Sequence, residues 1–321
     1  MGRKKFEIPL YIIDGFLESG KTSFIIDTVT ADYFQYDGKT LILSCEQGEV
    51  EYDEELFKKY DTIIEYITKE QIKDKEYLKD LITRFKAERV VLEFNGMWAD
   101  ILPLDFPEDW YNNQQITVVD GSTFGTYFKN NELKSYFVNM IKDSELIIFN
   151  RCTDDEVLKD YLRSIKAVNS GVEVLFEDND GYPITVRLDE DLPYNINDDR
   201  IDLADADYGL WFIDITERAE IYEGKTIHLK AMALKAKKMP DNLFIFGRRA
   251  VTCCADDIQF LGYACSYDPN QLSVKNGDWI DITGTIKLED FKPYGGVGPV
   301  LHATQVEKTS KPKEELIYFV R

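Results

Sequence analysis

Residues 15–22 read Gly15-Phe16-Leu17-Glu18-Ser19-Gly20-Lys21-Thr22, the G-x-x-x-x-G-K-[ST] spacing of a phosphate-binding loop. No other feature constrains the chain as strongly, because this spacing works only between a strand and a helix. The apolar run Ile8–Ile13 precedes it, and Ser23–Val29 can open a helix behind it. In that setting the loop's backbone N–H groups converge on an anion, and the helix N-terminus adds partial positive charge. Lys21 then serves as a point charge for the β- and γ-phosphates, and the Thr22 hydroxyl as a ligand for Mg²⁺. Gly15, Glu18, Ser19, Gly20 and Ser23 complete the expected nucleotide-binding set. Within it Glu18 is chemically at odds with its neighbours, since a carboxylate repels phosphates. It is expected to point outward, or to meet a cation or a partner's Arg.

The first half alternates short β-rich runs with amphipathic helical stretches. Strands are expected at Tyr11–Ile13, Thr40–Ser44, Thr62–Tyr66, Arg89–Glu93, Gln115–Val119, Glu145–Phe149 and Val172–Phe176. Such alternation implies a largely parallel sheet covered by helices, with ligands bound at the carboxyl ends of the strands. The phosphate loop, Glu93, Asp120 and Asn150 all fall at those ends. The second half has five β-rich runs instead: Ile227–Lys235, Leu243–Cys254, Phe260–Tyr267, Trp279–Lys287 and Val300–Glu307. Five strands of this length suit a small closed barrel of the oligonucleotide/oligosaccharide-binding (OB) type. The expected fold is therefore an α/β P-loop NTPase domain at 1–180, an acidic linker at 181–207 and an all-β, OB-like barrel at 208–321.

Charge supports that division. Residues 208–321 are neutral overall, so the net charge of −21 resides on residues 1–207. Residues 177–207 alone hold eleven acidic and two basic side chains with two prolines, a composition that resists packing. Five cysteines, an odd number with Cys253 and Cys254 adjacent, do not read as a disulfide framework. No stretch approaches the roughly 18 apolar residues of a membrane span, and Asp14 and Gly15 interrupt the first apolar run, as no export signal would. A cytoplasmic protein without membrane insertion is expected.

A phosphate loop needs a carboxylate at the end of a neighbouring strand to hold Mg²⁺ or its waters. Val90-Val91-Leu92-Glu93 supplies one, and Gly96 follows so that its N–H could approach the γ-phosphate. This Glu-x-x-Gly resembles the CobW, UreG and HypB family of metallochaperone GTPases, and the Gly-Phe-Leu opening of the loop is similar to the CobW branch. Leu43–Asp53 resembles that branch's switch segment at Glu46, Gly48, Glu49 and Asp53, and Val118–Asp120, Ile147–Arg151 and Ile165–Asn169 resemble its later segments. The resemblance covers roughly residues 7–176. It implies a GTP-binding hydrolase with Mg²⁺, in which Lys21, Glu93, Glu46 and Asp53 carry the chemistry and Asn150 and Arg151 flank the base. It also implies Zn²⁺ or Co²⁺ as cargo and a metal-acceptor partner.

Two departures bear on that implication. Relatives carry Cys-x-Cys-Cys after the switch, whereas this chain has Thr62–Thr68 without a cysteine, so the usual thiolate route for soft metal is missing. Guanine readers use Asn-Lys-x-Asp, but Asn150-Arg151-Cys152-Thr153-Asp154 shifts the carboxylate by one residue. GTP remains favoured over ATP through the resemblance. Neither Gln nor His stands beside Glu93 to orient water, which predicts slow intrinsic hydrolysis.

In the second half, Cys253, Cys254 and Cys265 are candidate soft-metal ligands, weighed against ordinary core packing. The Tyr208–Phe212 and Cys-Cys segments weakly resemble the C-terminal domain of firmicute permease-associated proteins, which assigns no site. Lys230, Lys235, Lys237, Lys238, Arg248 and Arg249 raise single-stranded nucleic acid as a ligand, but the acidic first half argues against it. Three readings follow: a GTPase in metal or metallocofactor handling, a nucleotide-dependent regulatory module associated with a transporter, and a nucleic-acid-dependent NTPase.

Overall fold

The computed structural model describes residues 7–153, 155–186, 192–251, 258–270 and 272–318. Contacts divide the chain into two compact units, Met1–Leu158 with Val172–Thr185, and Lys159–Gly171 with Val186–Arg321.

The first unit carries β1 (Ile8–Asp14), α1 (Lys21–Thr30), β2 (Thr40–Ser44), α2 (Glu54–Lys58), β3 (Thr62–Tyr66), α3 (Lys75–Phe85) and β4 (Arg89–Glu93). It continues through β5 (Trp110–Asp120), α4 (Gly121–Phe128), α5 (Asn131–Ile141), β6 (Leu146–Asn150), the start of α6 (Asp155–Val168), which belongs to the second unit from Lys159 on, β7 (Glu173–Glu177) and β8 (Pro183–Ile184). The strands form one sheet in the order β3-β2-β4-β1-β5-β6-β7-β8, in which only β8 runs antiparallel. Parallel central strands are buried on both faces and so read as unbroken apolar runs: β2 and β4 are buried at every residue. The pairing Ile13↔Glu93, Ser44↔Glu93 and Asp120↔Asn150 aligns the carboxyl ends, where the site residues lie. Behind β1 and β4, Ile25 and Val29 of α1 pack with Ile13, Val91 and Ile116. On α4 and α5, Phe124 and Phe137 meet edge-on, and Phe124 also meets Phe149 of β6.

The second unit contains β9 (Arg200–Asp202), α7 (Tyr208–Glu217), α8 (Ala219–Tyr222), β10 (Thr226–Leu234), β11 (Leu243–Val251), β12 (Ile258–Ser266), β13 (Trp279–Phe291), β14 (Gly296–Lys308) and β15 (Leu316–Tyr318). Strand β10 pairs with both β13 and β11, so five strands close a ring in the order β10-β11-β12-β14-β13. Within it β12 and β14 are parallel and the other contacts antiparallel. That is the connectivity of a five-stranded OB-type barrel, as the spacing of the β runs predicts. Alternate residues Ile227, Leu229, Ala231 and Ala233 of β10 face inward.

Two features depart from expectation. The domain read as all-β also contains α7, whose residues Tyr208, Trp211, Phe212 and Ile215 join the barrel core. The acidic stretch 181–207 contributes β8 to the first sheet and β9 to the second, where β9 pairs with β10. Among the described residues no helix is long and apolar enough to cross a membrane.

Candidate functional site

The phosphate loop joins β1 to α1 as its spacing requires. Gly15 has φ 147° and Gly20, at the N-cap of α1, has φ 102°. A Cβ on Gly15 would lie 2.3 Å from the Val118 carbonyl oxygen, so close packing on β5 demands glycine there. Phe16 anchors the loop edge-on to Tyr127 at 5.3 Å.

Lys21 is 1 % exposed. Its ammonium donates to the carbonyls of Gly15 at 3.2 Å and Phe16 at 2.7 Å, and pairs with Glu46 Oε1 at 2.6 Å. Burial raises the Glu46 carboxyl above its ordinary range, and Lys21 partly offsets this. Beside them the Thr22 hydroxyl donates to Glu93 Oε1 at 2.6 Å, and Ser44 Oγ lies 2.5 Å from Glu93 Oε2. The structure brings the expected pair Thr22 and Glu93 into contact and adds Ser44, unforeseen from the sequence, which the parallel register places opposite Glu93. A hydroxyl and a carboxylate meeting in a buried corner are the hard oxygen donors that Mg²⁺ takes. Glu46 Oε2, buried without a hydrogen-bond partner, adds a second acidic oxygen nearby.

The remaining predicted residues take unexpected roles. Glu18, in left-handed backbone at φ 61°, is exposed. Its carboxylate accepts from the Glu49 N–H at 3.2 Å, tying the loop to the switch segment. Gly96 donates its N–H to the Gly15 carbonyl at 3.0 Å, so that N–H is engaged within the protein. A Cβ on Gly96 would stand 2.4 Å from Met140 Sδ and 2.8 Å from Gly15 O, which is why glycine is needed there. Ser23 is exposed on α1. Asp53 caps α2, accepting from the Glu55 and Leu56 N–H groups at 3.0 and 3.2 Å.

On the expected base side, Asn150 donates to the Ser19 carbonyl at 2.8 Å. Arg151, with φ 54°, donates to Asn150 Oδ1 and the Glu18 carbonyl and pairs with Asp120 at 3.3 Å. Both side chains thus brace the phosphate loop. Thr153 is exposed, and Asp154 lies outside the described residues.

Asp14, which sequence reasoning missed, sits beneath the loop at the end of β1 and is 2 % exposed. It accepts from Thr117 Oγ1 at 2.5 Å and from Gln115 Nε2 at 2.9 Å. Burial pushes its carboxyl up to about 7 despite those bonds and the nearby Lys21.

Of the cysteine candidates, Cys253 and Cys254 lie outside the described residues. Cys265 is fully buried in the barrel core, and burial raises its thiol, as for a small apolar residue. His302, on the neighbouring strand β14, bonds Glu289 at 2.9 Å. Among the described residues no group of three or more His, Cys, Asp or Glu side chains is gathered as a metal ion would need. The basic cluster is also divided. Arg248 is 1 % exposed, close to the Trp279 ring and donating to the Asp205 and Glu314 carbonyls, while Arg249 is exposed.

Fold and loop together define a P-loop nucleotide-binding protein. The model of the family described as "CobW/HypB/UreG, nucleotide-binding domain" matches residues 9–176, just over half of the chain. The chain belongs to that family. The C-terminal domain of DUF1980 matches residues 184–319. The UPF0703 protein YcgQ of Bacillus subtilis is 25 % identical over 118 residues, 37 % of this chain and 41 % of YcgQ, so the match spans about two fifths of that relative's length. Among solved structures, the hydrogenase maturation factor HypB from Archaeoglobus fulgidus is similar at TM-score 0.39 and 17 % identity, covering 55 % of this chain and 83 % of that one. The Zn(II)-bound YjiA GTPase from E. coli is similar at TM-score 0.37 and 14 % identity, covering 80 % and 89 %.

Proposed function

We propose that this protein binds Mg²⁺–GTP at Gly15–Thr22, hydrolyses it slowly, and uses the cycle to move the Glu46–Asp53 segment in metal or metallocofactor handling. One observation carries the reading. Lys21, the expected phosphate ligand, is neutralised by Glu46, a switch residue, at 2.6 Å. An incoming phosphate competes with that carboxylate for the same ammonium. Binding therefore breaks the Lys21–Glu46 pair, and like charge repels Glu18, which ties the switch through Glu49. Among the described residues, these two polar ties of the switch segment to the loop both respond to triphosphate.

Thr22 and Glu93 would hold Mg²⁺, with Ser44 fixing the second carboxylate oxygen. Bound there, Mg²⁺ would neutralise charge on the β- and γ-phosphates. Asn150 and Arg151 would keep the loop in shape while the base lies beside them, and the preference for GTP rests on the family. Slow turnover follows from the want of a positioned His: both histidines, His228 and His302, are in the barrel, which leaves Gln47, on the cavity with Thr22 and Glu93, as the side chain to orient water. That same want favours a second reading, a regulatory module that binds nucleotide with negligible turnover.

Multiple-turnover hydrolysis of GTP and ATP, with and without Zn²⁺ or Co²⁺ and with metal content assayed on the same preparation, separates these readings. The proposal expects slow hydrolysis that favours GTP and accelerates with the delivered metal. Tight binding without turnover supports the regulatory module, and equal affinity for both nucleotides overturns the GTP assignment.

A further inference from the structure

Tyr52 lies in the switch segment, just before the Asp53 cap of α2, and is only 9 % exposed. Its ring is held edge-on to Phe57 of α2 at 5.7 Å and belongs to the apolar cluster of Ile13, Ile25 and Val91. Its hydroxyl, buried at the end of that fixed ring, lies near the Glu93 carboxylate but makes no hydrogen bond of ordinary geometry. The phenol faces a small polar cavity lined also by Thr22, Glu46, Tyr66 and Glu93. Burial raises the phenol, and the adjacent Glu93 raises it further, so it stays a neutral O–H donor.

Orphaned buried hydroxyls are uncommon and call for an explanation. This one stands beside a carboxylate whose oxygens are already engaged, Oε1 by Thr22 and Oε2 by Ser44. Two further orphaned buried atoms, Ser19 Oγ and Glu46 Oε2, belong to the same loop and switch. The cavity thus presents an unused donor next to the pair that would hold Mg²⁺. An anionic oxygen entering beside Thr22 is the acceptor that this donor lacks.

Building on the triphosphate reading above, we propose that the Tyr52 hydroxyl is a ligand of the terminal phosphoryl group and makes the protein distinguish nucleoside triphosphate from diphosphate. The bond is to the γ-phosphate, the one group a diphosphate lacks, so it would separate the two nucleotides. It would join the switch to the phosphate from the α2 side while Glu46 leaves from the Lys21 side. No covalent step is involved.

The test measures affinities of the full chain, in Mg²⁺, for the β,γ-imido analogue of GTP and for GDP, with Tyr52→Phe and Lys21→Ala beside the unmodified protein. Tyr52→Phe is expected to lose about tenfold in affinity for the triphosphate analogue, as for one hydrogen bond to a charged acceptor. Its affinity for the diphosphate is expected to stay unchanged. Thermal unfolding of the nucleotide-free Tyr52→Phe protein should match or exceed that of the unmodified protein, because the deleted hydroxyl makes no hydrogen bond of ordinary geometry. An unchanged triphosphate-to-diphosphate ratio, an equal loss for both nucleotides, or a lowered melting temperature would each overturn the assignment. Lys21→Ala with unimpaired triphosphate binding is a separate failure: it removes the phosphate-loop reading and Tyr52 with it.

Discussion

At the scale of single residues, the site is a set of charges held where solvent cannot relieve them. Asp14 is the sharpest case. Its carboxyl is raised from 3.8 to about 7, chiefly by burial, so the folded protein favours the protonated form. Its contribution to stability is then full below about pH 4 and is lost as pH rises through about 7. Asp14→Asn removes that dependence. Urea unfolding of both proteins between pH 4.5 and 8.5 should show the variant gaining on the unmodified protein as pH rises. The difference should level off above pH 8 at on the order of a few kcal/mol. A difference independent of pH would mean that Asp14 stays ionised throughout. Neither Asp14 nor Ser44 announces itself in the sequence. Asp14 is defined by Gln115 and Thr117, about a hundred positions away, and Ser44 by its register with Glu93.

At the scale of elements, most of the architecture was legible. β2, β3 and β4 begin and end where their β-branched runs do, and Glu93 ends its strand beside the phosphate loop. The barrel strands were legible for the same reason: alternation along β10 marks the inward face. Helix α7 was not, because Tyr208–Ile213 is apolar on every side and shows no helical period until the barrel supplies a core to receive it. Asp53 illustrates a different limit. Resemblance made it a catalytic candidate, but its carboxylate is spent capping α2. Asp53→Ala should therefore cost about 1 kcal/mol and speed hydrogen exchange at the Leu56 amide, while Asp53→Asn keeps both the cap and hydrolysis. Loss of hydrolysis in a stably folded Asp53→Asn protein would return Asp53 to the chemistry.

At the scale of the whole molecule, the chain combines a strongly acidic P-loop unit with a neutral OB-type barrel. Family membership rests on the first unit, and the match to the DUF1980 C-terminal domain on the second. Of the two buried cations among the described residues of the acidic unit, Arg89 is spent on Thr40 and Phe34 at the start of β4, and Lys21 is the one at the loop. Glu46 pairs with it at 2.6 Å, and the account turns on phosphate taking that place. Calorimetric titration of GTP into the full chain and its Lys21→Ala variant, at equal Mg²⁺, tests this most directly. A tenfold to hundredfold weaker affinity in the folded variant is predicted, as for about one or two charge-assisted hydrogen bonds. Equal affinity in the two proteins would contradict it.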